Sequence, residues 1–539
     1  MSLSNTELAH ILFSKVTDTV ADIQARYPAR PDGQLVLRMA PSPTGFFHIG
    51  NLFTGIVNER IAHQDGGVFF LRIEDTDQAR KVEGAVEALV YNMGHLGLTI
   101  NEPVSNLSDV GEYPYTQSER MYLYQVFAKY LVEQLAYPCW MTSEQMESIR
   151  EEQMKLKKAP GIYGNYALWR NKTNQEYADQ FAQDKNCTLR FRSHDTSKRI
   201  VFDDINRGKV SMMDNPNDMV LLKLLPTYHL AHVVDDHLMR TTHVTRGEEW
   251  LTSVPFHLQL FTAFGLTPPQ YCHLPLILKL EDGKKRKVSK RHDPEFNIKY
   301  LYEQYSPELI MFVLTLIDSG YEEWQKENPD QHYTQYRIDL HRMNSSGSLW
   351  DNDKLNHINN IYLSKISNDQ LFTETLERAA QYRPDFATLI TSDPEYAKAA
   401  MSIERHTELD PKRFNTYVDV ESQVKFFFDN EFEKLISDKP SRPEMITPDH
   451  ARQFVSDYSQ HLDFSLSKEE WFAQLKEIGA KYGFAPNNAE FKNGYLGKVG
   501  DLAMFLRIQL AASTKTPDLY SMMQVMGTER VTERMKRNI

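Results

Sequence analysis

Residues 35–51 read LVLRMAPSPTGFFHIGN, and the order of residue types in this stretch decides the fold class. Leu35 to Met39 is an apolar run of strand length. Pro41 and Pro43 follow; each fixes its own φ and pushes the residue before it to extended geometry, so no helix passes through Ala40 to Gly45. After His48-Ile49-Gly50-Asn51 the period changes. Leu52, Ile56, Val57 and Ile61 recur at helical spacing, which predicts a helix from near residue 50. Gly66-Gly67 ends it, and Val68 to Ile73 predicts a second buried strand. Strand, phosphate-sized loop, helix, strand is the opening of a nucleotide-binding α/β unit.

Outward from that unit, residues 118–160 carry a polar helical pattern, broken by two glycines between Gly161 and Asn165. Strand-like runs follow at Cys187 to Phe191, Arg199 to Phe202 and Met219 to Leu225, and the block reads as an insertion between two halves of the α/β domain. Val233-Val234, His243-Val244 and Leu274 to Leu278 resume the buried-strand pattern. Beyond residue 300 apolar positions take helical periods, as at Leu309, Phe312, Val313 and Leu316. Loop punctuation falls near residues 438–448 and 513–518, without internal repeats or low-complexity tracts.

A chain of 539 residues is too long for one core, so several domains are expected. Its composition, 41% hydrophobic and 25% charged, is that of a globular protein. No apolar run reaches the ~18–20 residues of a membrane span, so no membrane association is expected. The acidic Glu7, Asp18 and Asp22 make the N-terminal stretch unlike a secretory signal or a transit peptide. Cys139, Cys187 and Cys272 are widely separated, which argues against a disulfide framework and points to the cytoplasm. A net charge of −12 disfavours non-specific coating of nucleic acid but leaves room for a local basic patch.

Two constellations carry chemistry. At His48-Ile49-Gly50-Asn51 a helix start offers unpaired N–H groups, Gly50 admits a nucleotide to the backbone, and His48 can donate to a phosphate oxygen. A bare His-X-Gly is more often a helix cap or a surface histidine, but here Pro-Ser-Pro-Thr-Gly precedes it. The second constellation is Lys284-Lys285-Arg286-Lys287-Val288-Ser289-Lys290-Arg291, expected on a mobile loop opened by Asp282-Gly283, where it could clamp a triphosphate. Alone it would read as a solvated charge run or a generic nucleic-acid patch.

Together the two resemble the paired signatures of class I aminoacyl-tRNA synthetases, His-Ile-Gly-His and Lys-Met-Ser-Lys, with Asn51 and Val288 at the variable positions. Between them, Leu71-Arg72-Ile73-Glu74-Asp75-Thr76-Asp77 resembles a segment of bacterial-type glutamyl-tRNA synthetases. The stretches from Thr227 to His237 and from Thr242 to Trp250 are similar to two further blocks of that family. The resemblance begins at residue 35 and leaves the extension before it unmatched.

The resemblance implies an α/β fold: a class I Rossmann-like catalytic domain in two halves (35–113 and 219–279) around an inserted α+β acceptor-binding domain (114–218). A signature-loop and stem-contact region (280–370) and an all-α anticodon-binding domain (371–539) would follow, with 1–34 as an N-terminal extension. It implies glutamate activation by ATP and Mg²⁺ to an adenylate, then transfer to the terminal 2′-hydroxyl of tRNA(Glu), in a monomer. Arg38 and Arg246 would meet the two substrate carboxylates, Arg246 the side-chain one, and Glu74 the ammonium. Ala40, Ser42, Tyr228 and His232 would line that pocket, although Tyr228 reads equally as a core aromatic and His232 as a satisfied buried histidine. His48, Lys287 and Lys290 would stabilise charge on the phosphates, with Gly50, Asn51, Ser289 and Arg291 around the nucleotide. Glu249, Trp250 and Ile277 match positions near ribose and adenine, while a tryptophan by itself is ordinarily packing. Arg413 aligns with an anticodon-reading arginine; its plainer reading is an exposed helix charge.

Zinc is not expected, because Met141 stands where relatives with a zinc knuckle have their second ligand after Cys139. Asp235-Asp236 among His229, His232 and His237 reads as structural hydrogen bonding rather than a metal centre, on the expectation that adjacent strand residues face opposite ways. A synthetase that also charges tRNA(Gln) and an inactive RNA-binding paralogue are the competing readings.

Overall fold

The computed structural model describes residues 3–43, 47–102, 115–194, 198–289, 292–343, 346–406, 413–487, 491 and 494–537. Two compact units divide the chain: Met1–Lys299 with Ile310–Asp351, and Tyr300–Leu309 with Asn352–Ile539.

In the first unit, α1 (Asn5–Leu12) and α2 (Val20–Ala25) each start in a capping box, Ser4 with Glu7 and Thr19 with Asp22. Strand β1 (Val36–Met39), helix α3 (Ile49–His63) and strand β2 (Val68–Leu71) then form the expected unit, with β1 and β2 parallel. Gly66 takes φ +67 after α3, and a Cβ on Gly67 would lie 2.4 Å from the Leu35 carbonyl oxygen, so both glycines are dictated by backbone.

After α4 (Ala85–His95) come α5 (Met121–Gln134), β3 (Ala136–Cys139), α6 (Ser143–Lys155), α7 (Asn174–Gln183) and β4 (Thr188–Phe191). The hairpin β5 (Arg199–Asp204) and β6 (Gly208–Met213) precedes β7 (Val220–Leu222), α8 (Tyr228–Leu238), β8 (His243–Gly247), α9 (Val254–Ala263) and β9 (Gln270–Leu274). Strands β3, β4 and β7 make a separate antiparallel sheet, while β8 and β9 pair in parallel. Thr242, just before β8, exchanges hydrogen bonds with the backbone of Val36, so β1 and β8 run side by side. Chain connections therefore leave β1 towards β2 on one side and β8 towards β9 on the other. The crevice between the carboxyl ends of β1 and β8 is the switch point where such sheets bind ligands.

Several expectations need correction. Val233-Val234 lie in α8, not a strand; His232, Asp235 and Asp236 are buried in it beside the apolar residues, so polarity does not mark a solvent face and the helical period is obscured. The 118–160 block is not one polar helical stretch, because α5 is largely buried and β3 interrupts it. Residues 199–213, expected within the insertion, form a hairpin in which Asp204 pairs with Tyr271 of β9, in the sheet that contains β8. The N-terminal helices are part of the core: Leu8, Ala9, Ile23 and Tyr27 pack with α5, α8 and α9.

The basic run is a strand, not a loop, as far as Lys287. Strand β10 (Ile277–Glu281) turns through Asp282 (φ 50) and Gly283 (φ 74) into β11 (Lys284–Lys287), two left-handed residues of the kind a tight hairpin demands. On its other edge β10 pairs in parallel with β12 (Ser348–Leu349).

The second unit is helical around a core that includes Leu371, Val420, Phe427, Tyr458, Leu506 and Met523. It takes in the helix Asn352–Lys365, which the sequence placed in the stem-contact region. Arg534 is almost wholly buried: it donates to the Phe426 (2.7 Å), Leu510 (2.8 Å) and Phe427 (3.0 Å) carbonyls and pairs with Asp429 at 2.7 Å. Arg534→Met would orphan those carbonyls, and we expect a loss of about 3 kcal/mol, read as a lower melting temperature of this unit. A melt unchanged within error would refute the hub role.

Candidate active site

Arg246 sits in β8 at the switch point, 6% exposed. Its Nε donates to His273 Nε2 (3.1 Å), Nη1 to the Tyr228 hydroxyl (2.9 Å) and Nη2 to the Trp250 carbonyl (3.2 Å). The guanidinium also lies over the Tyr271 ring, 5.1 Å from its centroid. Among the described residues no carboxylate lies within ion-pair distance of it. These three partners leave one hydrogen on each Nη, the fork that fits a carboxylate.

Around it stand rings that carry no charge. Tyr228 packs on Trp250 (centroids 4.6 Å) and near His232 (5.5 Å) and His257 (5.6 Å), while His232 stacks on His257 at 4.2 Å. Burial and the Arg246 cation push His229 down to about 4, and burial drives His232 and His257 well below the usual histidine range. Neutral histidines do not compete with Arg246 for an anion.

On the β1 side the charges are paired. Arg38 binds Asp236 through Nε (3.1 Å) and Nη2 (3.4 Å), and Arg72 Nη1 reaches the same carboxylate at 2.6 Å. Burial opposes an ionised Asp236, yet the two guanidiniums outweigh it and hold its carboxyl far below the usual range. Arg72 Nη2 also donates to Glu74 (2.9 Å), whose backbone N–H bonds the Pro41 carbonyl. Burial nevertheless pushes the Glu74 carboxyl up. Ala40 is part-buried and Ser42 exposed at the exit of β1.

His48 caps α3: its Nδ1 accepts from the Gly50 N–H at 3.2 Å, which puts the ring proton on Nε2 in a neutral imidazole. A Cβ on Gly50 would meet only His48 Nδ1, at 3.7 Å, so packing does not demand glycine there. The Phe47 carbonyl accepts from Ile298, and His48 bridges to Asn297, which seats the loop before Asn51.

Lys287, at the end of β11, points to Glu249 (3.5 Å), both half-exposed. Buried Ile277 accepts from the Val288 N–H (3.0 Å), and the Asp293 carboxylate accepts from Ser289 N–H (2.8 Å), Arg286 and Lys279. Trp250 is 41% exposed. Lys290 and Arg291, like Thr44 and Gly45, lie outside the described residues.

In the second unit Arg413 is not an exposed helix charge. Its guanidinium donates to the carbonyls of Ala400 (2.8 Å) and Ile403 (3.1 Å) and to Gln423 Oε1 (3.0 Å) and O (3.3 Å), closing the end of the helix Pro394–Ser402. Burial pushes it down to about 9.

The family described as "tRNA synthetases class I (E and Q), catalytic domain" matches residues 34–357, and an "Anticodon binding domain" matches 374–539. A glutamate–tRNA ligase from Clostridium perfringens (strain SM101 / Type A) is 39% identical over 548 aligned residues, covering 99% of both chains. The chain belongs to the glutamate–tRNA ligase family. Another member, from Acetivibrio thermocellus, is 38% identical over 98% of this chain and 99% of its own. Among solved structures, a glutamate tRNA ligase from Elizabethkingia meningosepticum, crystallised in complex with its amino acid, superposes with TM-score 0.70 at 28% identity, covering 94% of this chain and 99% of that one. The family's bipartite plan, catalytic domain followed by anticodon domain, is thus present here. Full-length alignment with such relatives also corrects one expectation: residues 1–34 are not an unmatched extension.

Around the candidate site, Arg72, Asp204, His257 and His273 carry no site signal of their own in the sequence, and Asp236, read there as a structural hydrogen-bonding group, instead pairs with Arg38 and Arg72. Arg72 was visible in its motif, but its role needs the fold; Asp204 and His273 meet only because β5 lies parallel to β9, while Asp236 and His257 come from the packed helices α8 and α9.

Proposed function

We propose that this chain activates L-glutamate with ATP and transfers it to the 3′-terminal adenosine of tRNA(Glu), as a monomer working in the cytoplasm. The observation that carries the reading is Arg246: a buried cation bonded only to neutral groups, with two N–H groups left for a carboxylate. Glutamine would offer such a fork one acceptor oxygen and no charge, and its amide hydrogens would face donors. Arg38 spends Nε and Nη2 on Asp236, leaving Nη1 for the second carboxylate, and Glu74 beside it suits the ammonium.

The α-carboxylate oxygen would then attack the α-phosphorus of ATP in line, and pyrophosphate would leave. His48 Nε2–H and Lys287 are placed to meet phosphate oxygens, with Lys290, Gly50, Asn51, Ser289 and Arg291 completing the nucleotide site, and with Glu249, Trp250 and Ile277 near ribose and adenine. Mg²⁺ is proposed only as the companion of the triphosphate, whose oxygens supply most of its ligands. Among the described residues no group of three or more His, Cys, Asp or Glu is arranged to hold a metal. Arg413 is proposed to meet the anticodon with the one Nη2 hydrogen that its backbone partners leave.

Glutamate-dependent pyrophosphate exchange, with and without tRNA, tests the reading; no exchange in either condition would sink it. Charging of tRNA(Gln) in parallel separates strict from relaxed specificity.

Glu74 gives a pH prediction. Because burial raises its folded-state carboxyl pKa, ionised Glu74 costs stability at neutral pH, and protonation on acidification relieves that cost. Substrate binding needs the ionised form. The KM for glutamate should therefore climb on mild acidification while the fold stays intact, and E74Q should raise KM and flatten that acid limb. An acid limb that persists in E74Q would assign it elsewhere.

A further inference from the structure

We infer that Asp204 and His273 are positioning residues for amino-acid selection: the Asp204 carboxylate fixes the His273 ring, and the ring in turn sets the rotation of Arg246. The inference rests on reading Arg246 as the group that receives the substrate's side-chain carboxylate.

Both residues are essentially inaccessible to solvent and come from different strands, β5 and β9. Asp204 Oδ2 lies 2.6 Å from His273 Nδ1 and also accepts the His273 backbone N–H at 3.0 Å. Its Oδ1 accepts the N–H groups of Asn206 (3.2 Å) and Arg207 (3.0 Å) in the hairpin turn. A carboxylate has only acceptors, so the hydrogen on this contact belongs to His273 Nδ1. In a neutral ring that leaves Nε2 as an acceptor, and it accepts from Arg246 Nε at 3.1 Å. The Tyr271 ring beneath the guanidinium fixes its plane, and the His273 bond fixes its rotation within that plane. Together they decide where the two remaining Nη hydrogens point. Misaiming the fork weakens a charge-assisted hydrogen bond to the substrate, a change of about 10–100-fold in affinity.

The opposite tautomer would set Nε2–H against Arg246 Nε–H. Asp204→Asn is built to produce it: the carboxamide keeps the shape and can donate to Nδ1, moving the ring proton to Nε2. In pyrophosphate exchange with tRNA present, D204N should raise the KM for glutamate about tenfold or more, with the KM for ATP and kcat changed far less. His273→Gln, whose Oε1 can accept from Arg246 Nε, should keep more glutamate affinity than D204N. A merely structural role would move all three parameters together. A folded D204N with unchanged KM for glutamate would overturn the inference.

Arg246→Met separates this from the underlying reading. If R246M leaves the KM for glutamate unchanged, the carboxylate reading fails and this inference with it; if R246M raises it and D204N does not, only the positioning role fails. ¹⁵N spectra of histidine-labelled wild-type protein decide the matter even if D204N does not fold. His273, assigned by its loss in H273Q, should be neutral and protonated on Nδ1; a cationic or Nε2-protonated ring overturns the proposal.

Discussion

Replacing Arg246 by methionine is expected to lower kcat/KM for glutamate about a thousandfold while moving the melting temperature by no more than a few degrees. The two halves have separate causes. Removing one partner of a desolvated, hydrogen-bonded charge pair costs about 4 kcal/mol, roughly a thousandfold. In the free protein, however, Arg246 has only neutral partners among the described residues. Methionine abolishes a buried unpaired charge, a gain, and orphans His273 Nε2, the Tyr228 hydroxyl and the Trp250 carbonyl, a loss of similar size. Glutamate-dependent exchange and a thermal melt on the same preparation check both. Activity within about tenfold of wild type would show that the substrate carboxylate sits elsewhere.

The second large effect is on stability. Asp235→Ala should destabilise the catalytic unit by about 4 kcal/mol, because an unmatched buried charge remains after one partner goes. Asp235, at 0% exposure, accepts from Arg120 Nε (2.9 Å), Gln117 Nε2 (2.9 Å) and the Tyr124 hydroxyl (2.8 Å), joining α8 to the start of the inserted segment. Calorimetry should show that unit's transition about 6 °C lower. A double change to Asp235→Leu and Arg120→Met should recover part of the loss, since it leaves no charge stranded. A single mutant that melts with wild type would refute the account.

That network also shows where sequence reading stops. The two aspartates were expected to be structural rather than metal-binding, on the ground that neighbours in a strand diverge. They do diverge, but because neighbours in a helix do: Asp235 faces α5, and Asp236 faces Arg38 and Arg72 across β1 and β2. The opening β1–α3–β2 unit was legible because proline, glycine and apolar period each mark a boundary. Helix α8 was not, since its polar residues His232, Asp235 and Asp236 are buried with the apolar ones and mark no solvent face. His48, Arg38, Glu74 and Arg246 could be named from motifs, whereas Asp204 and His273 stand 69 residues apart and meet only because β5 lies beside β9. Arg413 was visible as a residue type, but its engagement with backbone carbonyls depends on how a helix end turns.

The hairpin of β5 and β6 also bears on how this chain could be recombined with its relatives. A cassette exchanged at residues 114–218 would carry Asp204 away and leave His273 behind in the host. A chimera joined there inherits the two halves of one hydrogen bond from different parents. Placing the downstream junction before Arg199, ahead of β5, keeps both halves in one parent, at the cost of taking β7 (Val220–Leu222) from the host, so that strand must match the grafted β4.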